Sequence, residues 1–355
     1  MDPGGGKMKN ITVYGAGSWG TAVADLLARR GHQTLLWCRR PEQARAINST
    51  GSNPDYLRDA RLCPTLTVTS DLEEAAEASE MHVSAIPTQS VREFLPRAGK
   101  IWPRDLRVCN LAKGIEIVSG KRISQVFSEI LPGSRYSVLS GPSHAEEVAA
   151  GKPTAVVVAS SIPGEAELWQ EVFSGRLFRV YTSDDVAGVE IGGAVKNVIA
   201  IAAGIAASRE MGYNTLAALA SRGLAEVMRL GARWGAHPLT LAGLAGVGDL
   251  MVTCFSSLSR NYKLGKAVGE GMTLQQAMES LGQVAEGAYT VDALVKHSRE
   301  IGVELPLAEA VHRILYDGVT PECMVESLFG RELKAELPPE MYWGRETDRR
   351  ARERV

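Results

Sequence analysis

The first 185 residues alternate short β-branched runs with amphipathic stretches. Ile11–Tyr14, Gln33–Cys38, Val83–Ile86, Arg107–Leu111, Tyr136–Leu139, Thr154–Ala159 and Leu177–Tyr181 read as strands. Helical patterns such as Trp19–Arg30 and Leu72–Ala78 lie between several of them. This alternation predicts an α/β domain of the doubly wound Rossmann type, a mostly parallel sheet with helices on both faces. After about Asp185 the strand pattern stops. Val189–Arg209, Thr215–Trp234, Thr273–Leu281, Tyr289–Ile301 and Pro306–Tyr316 are long, rich in Ala, Leu, Gly and Met, and predict an all-α domain. The expected organisation is a flexible leader (1–7), a dinucleotide-binding domain (8–188), a helical substrate domain (189–335) and a charged, solvated tail (336–355).

Composition narrows the class. Lys plus Arg total 39 against 41 Asp plus Glu, a net charge of −2. That balance gives no support to nucleic-acid binding. Five widely spaced cysteines, an odd number without a Cys-x-x-Cys pair, argue against a disulfide framework and for a reducing, cytoplasmic setting. No uncharged apolar run reaches the length of a membrane span. The nearest, Gly193–Ala207, is interrupted by Lys196 and Asn197. The six histidines lack ligand spacing, so no metal is expected.

The strand Ile11–Tyr14 runs into Gly15-Ala16-Gly17-Ser18-Trp19-Gly20 and then a helix. In this G-x-G-x-x-G turn Gly15 permits the sharp bend. Gly17 lets backbone approach a pyrophosphate, and Gly20 lets helix and strand pack closely. The helix N-terminus adds free N–H groups for the phosphates. The second strand ends in Arg39-Arg40, where an NAD-selective site usually places a carboxylate. Two guanidiniums could grip a ribose 2′-phosphate, which favours NADP(H) and leaves NAD(H) open.

Lys196 lies on an apolar, small-residue stretch, Glu190–Gly204. A buried ammonium there would have a lowered pKa and could give and take a proton. A lysine snorkelling at a helix end is the alternative. Further polar residues sit in glycine-rich settings. Lys113-Gly114 follows one strand, and Ser140-Gly141-Pro142-Ser143-His144-Ala145 follows the next. Asp249 stands in Gly246–Leu250, and Ser256–Asn261 precedes a helical run and offers a hydroxyl cap and a cation to an anion.

Together these blocks resemble the bacterial NAD(P)-dependent glycerol-3-phosphate dehydrogenases, from Ile11 to about Gly330. The resemblance is carried by Gly-Ala-Gly-Ser-Trp-Gly (15–20), Asn-Pro-Asp-Tyr-Leu (53–57) and Ala-Lys-Gly-Ile-Glu (112–116). Ser-Gly-Pro-Ser-His-Ala-Glu-Glu-Val (140–148), Gly-Ala-Val-Lys-Asn-Val (193–198) and Arg-Gly-Leu-Ala-Glu-Val (222–227) extend it. Gly-Leu-Ala-Gly-Val-Gly-Asp-Leu (243–250) and Ser-Arg-Asn (259–261) complete it. One stretch departs from the pattern: Ala206–Asn214 keeps Gly-x-Asn but lacks the usual preceding acidic residue and glycine.

The resemblance implies interconversion of dihydroxyacetone phosphate and sn-glycerol 3-phosphate with NAD(P)H, supplying glycerophospholipid synthesis, by a homodimer. It implies that Lys196 is the general acid and base, that Asp249 holds it, and that Lys113 orients substrate oxygens. Gly141, Ser143, Ser259, Arg260 and Asn261 would complete the substrate site, the last three at the phosphate. Ser18, Trp19, Arg39, Arg40, Lys113, Ala145, Arg260, Val284 and Glu286 would line the cofactor beside Gly15, Gly17 and Gly20. His144 is expected to be structural. Two rivals remain: a dehydrogenase of the same plan acting on another hydroxy acid, and a catalytically silent NADPH-binding regulator. The Ser-Arg-Asn block opposes the first, and the joint presence of Lys113, Lys196, Asp249 and Arg260 opposes the second.

Overall fold

The structure, a computed structural model, describes residues 7–333 and Glu336, apart from the side chains of residues 298, 299 and 301. Residues 1–6 of the expected leader, and the tail beyond Glu336, lie outside the described residues.

Eight strands form one sheet: β1 (Asn10–Tyr14), β2 (Gln33–Trp37), β3 (Thr67–Thr69), β4 (Met81–Ser84), β5 (Arg107–Asn110), β6 (Arg135–Ser140), β7 (Thr154–Ala159) and β8 (Phe178–Ser183). Their order is β3-β2-β1-β4-β5-β6-β7-β8, parallel throughout except for β6 against β7. The order reverses beside β1, between β2 and β4, and places a crevice there at the carboxyl ends of the strands. Burial on both faces explains runs such as Ile11–Tyr14, which are apolar or β-branched rather than alternating. Sequence pattern misses β3. Its three residues sit at the sheet edge, too short for a period to show. The expected strand at 83–86 is shifted to Met81–Ser84, because Ala85 and Ile86 already turn away from the sheet toward the glycine loop.

Beyond β8 the described residues form helices only. Val186–Ser208 is the central one. All of its residues from Gly188 to Ala206 are buried, so it carries no polar stripe and is core on every side. It packs against Gly212–Arg233, Asp249–Phe255, Arg260–Gly269 and Glu286–Ile301. Arg260–Gly269 crosses it at backbone distance. A Cβ on Gly204 would lie 2.1 Å from the Tyr262 carbonyl oxygen, and one on Gly265 would lie 2.0 Å from that of Ile201. That close crossing, which only glycine permits, sets Asn261 against the helix that carries Lys196.

Two segments are long and apolar enough to cross a membrane by composition alone, Val186–Ser208 and Pro238–Phe255. The first is 89% buried inside the protein over its most apolar window, the signature of a core helix. The departing stretch at 206–214 contains Glu210 at φ 51°, the one non-glycine residue in the left-handed region among the described residues. Where an unbranched chain lacks glycine, this backbone costs about 1 kcal/mol.

Candidate active site

The glycine loop opens the crevice. Gly15 has φ 107°, and a Cβ there would meet the Ala85 carbonyl oxygen at 2.6 Å. A Cβ on Gly20 would lie 1.9 Å from the Gly15 oxygen. Gly17 differs: a Cβ there would touch nothing within 4 Å, so its missing side chain serves no internal packing. It leaves open space at the N-terminus of helix Ser18–Arg29, which has no side-chain cap. Two buried amides fix the loop from behind. Gln43 Nε2 and Asn53 Nδ2 donate to the Ala16 carbonyl at 2.8 and 3.0 Å. The buried indole N–H of Trp19 has no partner. Ala145 and Trp19 pack in one small cluster with Ala22 and Leu57.

At the tip of β2, Arg39 is exposed and makes no ion pair among the described residues. Arg40 is already committed, with Nη2 2.5 Å from Asp55 Oδ2 and Nε 4.0 Å from Glu42. An open phosphate-sized cradle at a helix N-terminus, an unpartnered donor at Trp19 and a cation at the second strand tip fit a nicotinamide dinucleotide.

The chemical centre is a buried ion triad drawn from three places in the chain. Lys113 lies in the loop after β5. Its Nζ is 2.8 Å from Asp249 Oδ2 and donates to the Gly141 carbonyl at 3.0 Å, with Ser143 Oγ at 3.5 Å. Lys196, on the central helix and 6% exposed, sits 2.5 Å from Asp249 Oδ1 and donates to Thr253 Oγ1 at 2.7 Å. One carboxylate thus binds an ammonium on each oxygen. Gly193, one turn before Lys196, makes room for this. A Cβ there would strike Ser140 Oγ at 2.6 Å and lie 3.5 Å from Lys113 Cγ.

Electrostatics follow from that packing. Burial, reinforced by repulsion from Lys113, lowers the Lys196 pKa to about 8, although Asp249 pulls it upward. Burial works against the Asp249 carboxylate too, but the two ammoniums outweigh it and hold its pKa below the usual value. Lys196 is therefore mostly an ammonium at neutral pH, yet close to releasing its proton.

The remaining residues form a rim. Ser259 caps helix Arg260–Gly269, its hydroxyl accepting from the Tyr262 N–H at 3.2 Å. Arg260 is exposed and reaches Gln283 Oε1 at 3.4 Å; Ser18 Oγ donates to the same oxygen at 3.3 Å. Gln283 therefore links the glycine loop to the Arg260 helix. Asn261 is buried. Its Nδ2 donates to Asn197 Oδ1 at 2.9 Å, and its Oδ1 accepts from the Gly287 N–H at 2.9 Å. Asn197 in turn donates to the Lys113 carbonyl at 3.2 Å. Val284 is 37% exposed beside Gln283, whereas Glu286 is partly buried. Burial raises the Glu286 pKa against the Thr88 N–H, which donates to Oε1 at 3.0 Å, and Oε2 has no hydrogen-bond partner among the described residues. The His144 ring meets the Val252 carbonyl, Nε2 at 3.3 Å. No group of three or more His, Cys, Asp or Glu side chains is placed to hold a metal among the described residues.

Comparison with known proteins points to one family. Residues 10–166 match the family described as NAD-dependent glycerol-3-phosphate dehydrogenase N-terminus, and residues 185–326 match its C-terminus. A glycerol-3-phosphate dehydrogenase from Chlorobium phaeobacteroides is 46% identical over 92% of this chain and 99% of its own. The chain belongs to the NAD-dependent glycerol-3-phosphate dehydrogenase family. A second relative in this family, from Geobacillus thermodenitrificans, is 46% identical over 93% of this chain and 97% of its own. The crystal structure of the Coxiella burnetii glycerol-3-phosphate dehydrogenase superimposes with a TM-score of 0.88 at 37% identity, covering 91% of this chain and 99% of that one.

Within this family frame, several neighbours of the site escape sequence reading. Thr253 follows Asp249 by one helical turn, a spacing that places both on one face. Asn197, adjacent to Lys196, and Asn53, inside the Asn-Pro-Asp block, were visible as motif members without a role. Thr88 and Gln283 carry no motif signal of their own.

Proposed function

We propose the following division of labour for reduction of dihydroxyacetone phosphate to sn-glycerol 3-phosphate, which supplies the glycerol phosphate backbone of phospholipids. NAD(P)H, when bound, supplies the hydride. Gly17, the free N–H groups of helix Ser18–Arg29, Trp19 and Arg39 would hold it, with Arg39 facing a 2′-phosphate. The observation that carries the reading is the triad: one buried aspartate with a lysine on each oxygen.

As the carbonyl carbon accepts a hydride, negative charge grows on its oxygen. Lys196 stabilises that oxygen through its ammonium and then donates the proton, forming the alcohol and leaving a neutral amine. In the oxidative direction the neutral amine takes the hydroxyl proton. Asp249 keeps Lys196 aimed, and Thr253 holds a second of its N–H bonds. Lys113 orients the substrate oxygens with Ser143 and the Gly141 backbone. Arg260 and the N-terminus of its helix, with Ser259 and Asn261 behind them, receive the phosphate.

We place the enzyme in the cytoplasm as a homodimer. The cysteines are unpaired, in keeping with a reducing compartment. Tyr213, Met251 and Phe255, each more than half exposed, give apolar surface to a second copy. Sedimentation tests the dimer.

The reaction is tested by following oxidation of NADPH and of NADH with dihydroxyacetone phosphate beside unphosphorylated dihydroxyacetone. Turnover is expected only with the phosphorylated ketone. Lys196→Met is expected to lower kcat by about 10²–10⁴-fold with NADPH binding retained. Equal turnover of both ketones would reject the phosphate site, and near-normal turnover in K196M would reject the proton donor.

A further inference from the structure

The loop that carries Lys113 is irregular, yet its backbone is held at two points by one side chain. Gln89, in the turn after β4, donates from Nε2 to the Ile115 carbonyl at 2.8 Å and accepts at Oε1 from the Ile117 N–H at 3.0 Å. The amide thus acts as a one-residue strand partner for residues 115–117. Next to it, the Thr88 N–H donates to Glu286 Oε1. Gly114 lies between the two: a Cβ there would meet Thr88 Oγ1 at 2.5 Å and Glu286 Oε2 at 3.0 Å. One turn farther on, Arg92 grips both carboxylate oxygens of Glu116 through Nε and Nη2, at 2.7 and 2.8 Å. The Glu116 carboxylate is 4% exposed, so this end of the loop is firmly anchored.

Among the described residues, Lys113 itself is tied by its head, at Asp249, Gly141 and Ser143, and by the Asn197 bond to its carbonyl. Two residues, Gly114 and Ile115, separate it from Glu116. Without a clamp between them, the Lys113 backbone could shift while both ends stayed bonded.

We propose that Gln89 is a positioning residue for Lys113: its amide fixes the register of the 113–117 loop so that the Lys113 ammonium meets the substrate oxygens. Because Thr88 and Gln89 share one turn, the same turn joins the Lys113 loop to the end of helix Glu286–Ile301 that faces the cofactor crevice. The inference rests on the reading of Lys113 as a substrate-binding residue.

The test is a double-mutant cycle on kcat/KM for dihydroxyacetone phosphate in the full-length enzyme. Displacing a substrate-orienting group by about 1 Å costs up to about 10²-fold, so Gln89→Ala is expected to lower kcat/KM by about 10- to 100-fold. The NADPH dissociation constant should stay within about threefold of wild type, since no cofactor contact is removed. In a Lys113→Ala background the further loss from Gln89→Ala should shrink to under about threefold, because Gln89 acts through Lys113. A purely structural role would give the same loss in both backgrounds, and that result overturns the proposal. So does a Q89A enzyme with kcat/KM within threefold of wild type. Should Q89A fail to fold, Gln89→Glu retains the acceptor for the Ile117 N–H and loses only the donor, and the same cycle is read with it. A wild-type enzyme inactive on dihydroxyacetone phosphate would instead reject the functional reading itself, whichever way the cycle falls.

Discussion

Replacing Asp249 by Asn isolates the electrostatic half of the mechanism. D249N keeps the shape of the side chain and removes the charge that faces both lysines. In the wild type, burial and Lys113 push the Lys196 pKa down to about 8, and Asp249, 2.5 Å away, restrains the fall. An opposite charge at such distances supports a pKa by about 1–3 units. Without it the Lys196 pKa should drop by that amount, while repulsion from Lys113 persists. At about pH 7.5 roughly three-quarters of the wild-type lysine is ammonium. In D249N the fraction would be about one quarter for a one-unit shift and about 0.3% for three. Reduction of dihydroxyacetone phosphate should therefore slow by about 3- to 200-fold at that pH.

The rate at one pH does not discriminate, because loss of orientation would also lower it. The discriminating quantity is the alkaline limb of kcat/KM for reduction. It reports the group that must be protonated before hydride transfer. In the wild type it should fall near pH 8. In D249N it should move to lower pH by at least one unit, so that part of the lost rate returns as the pH is lowered toward the limb. The second ionisation of the substrate phosphate, near about 6, sets the floor of the useful range. A D249N profile lowered evenly, with its limb still near pH 8, would refute the electrostatic argument and leave Asp249 only a positioning role. A wild-type enzyme with no alkaline limb near 8 would refute the assignment of Lys196 as the donor.

Other perturbations test the remaining parts. Gly17→Ala should leave the melting temperature unchanged or slightly raised, since a Cβ there touches nothing, but should weaken NADPH about tenfold. Gly20→Ala should destabilise the protein by about 1–3 kcal/mol, its Cβ colliding with the Gly15 carbonyl, as thermal unfolding would show. Arg39→Ala should weaken NADPH by about 1.5–3 kcal/mol and leave NADH unchanged in fluorescence titrations; Arg40→Ala should do less, its guanidinium being occupied by Asp55. Glu226, which accepts from the Leu307 and Ala308 N–H groups, is pushed by burial from 4.5 to about 7. Its folded-state pKa is raised, so the stability it supports is fully present below about pH 4.5 and is lost as pH rises to about 7, roughly 3 kcal/mol in all. Melting curves of Glu226→Gln across this window should lack that decline, and parallel curves for variant and wild type would show that the carboxyl does not titrate there.

Much of this was legible before any coordinates. The glycine turn is read from one contiguous block because its chemistry is local: strand end, bend and helix start fall within ten residues. The parallel strands show because they are buried on both faces, which selects β-branched residues at consecutive positions. Lys196 stands out because a charge inside an otherwise apolar helix is costly without a partner. Its partner is legible only through the family resemblance. Asp249 lies 53 positions from Lys196 and 136 from Lys113, and no local pattern ties them. The two arginines at 39 and 40 look equivalent in sequence. They differ in the fold only because Asp55 reaches back to one of them. Strand β3 was lost because three residues at an edge carry no period. Gln89 was lost because a side chain that completes another segment's backbone bonds needs no motif.

The charge arithmetic of the triad explains why a phosphorylated ketone suits this site. Asp249 carries one negative charge and holds two ammoniums, so the buried cluster is one charge positive, and Arg260 adds another at the rim. A phosphate dianion balances this excess, and an unphosphorylated triose does not. The balance bears on the chemistry as well as on affinity. Repulsion from Lys113 helps to drive the Lys196 pKa toward neutrality in the free site, and a bound dianion opposes that repulsion. In the proposed mechanism substrate binding would thereby hold Lys196 in its ammonium form while the carbonyl waits for hydride. Once the alkoxide forms, the extra negative charge lies next to a proton donor whose burial already favours its neutral state. On this reading the phosphate would keep the acid charged before the transfer, and the desolvated pocket would favour giving the proton up after it.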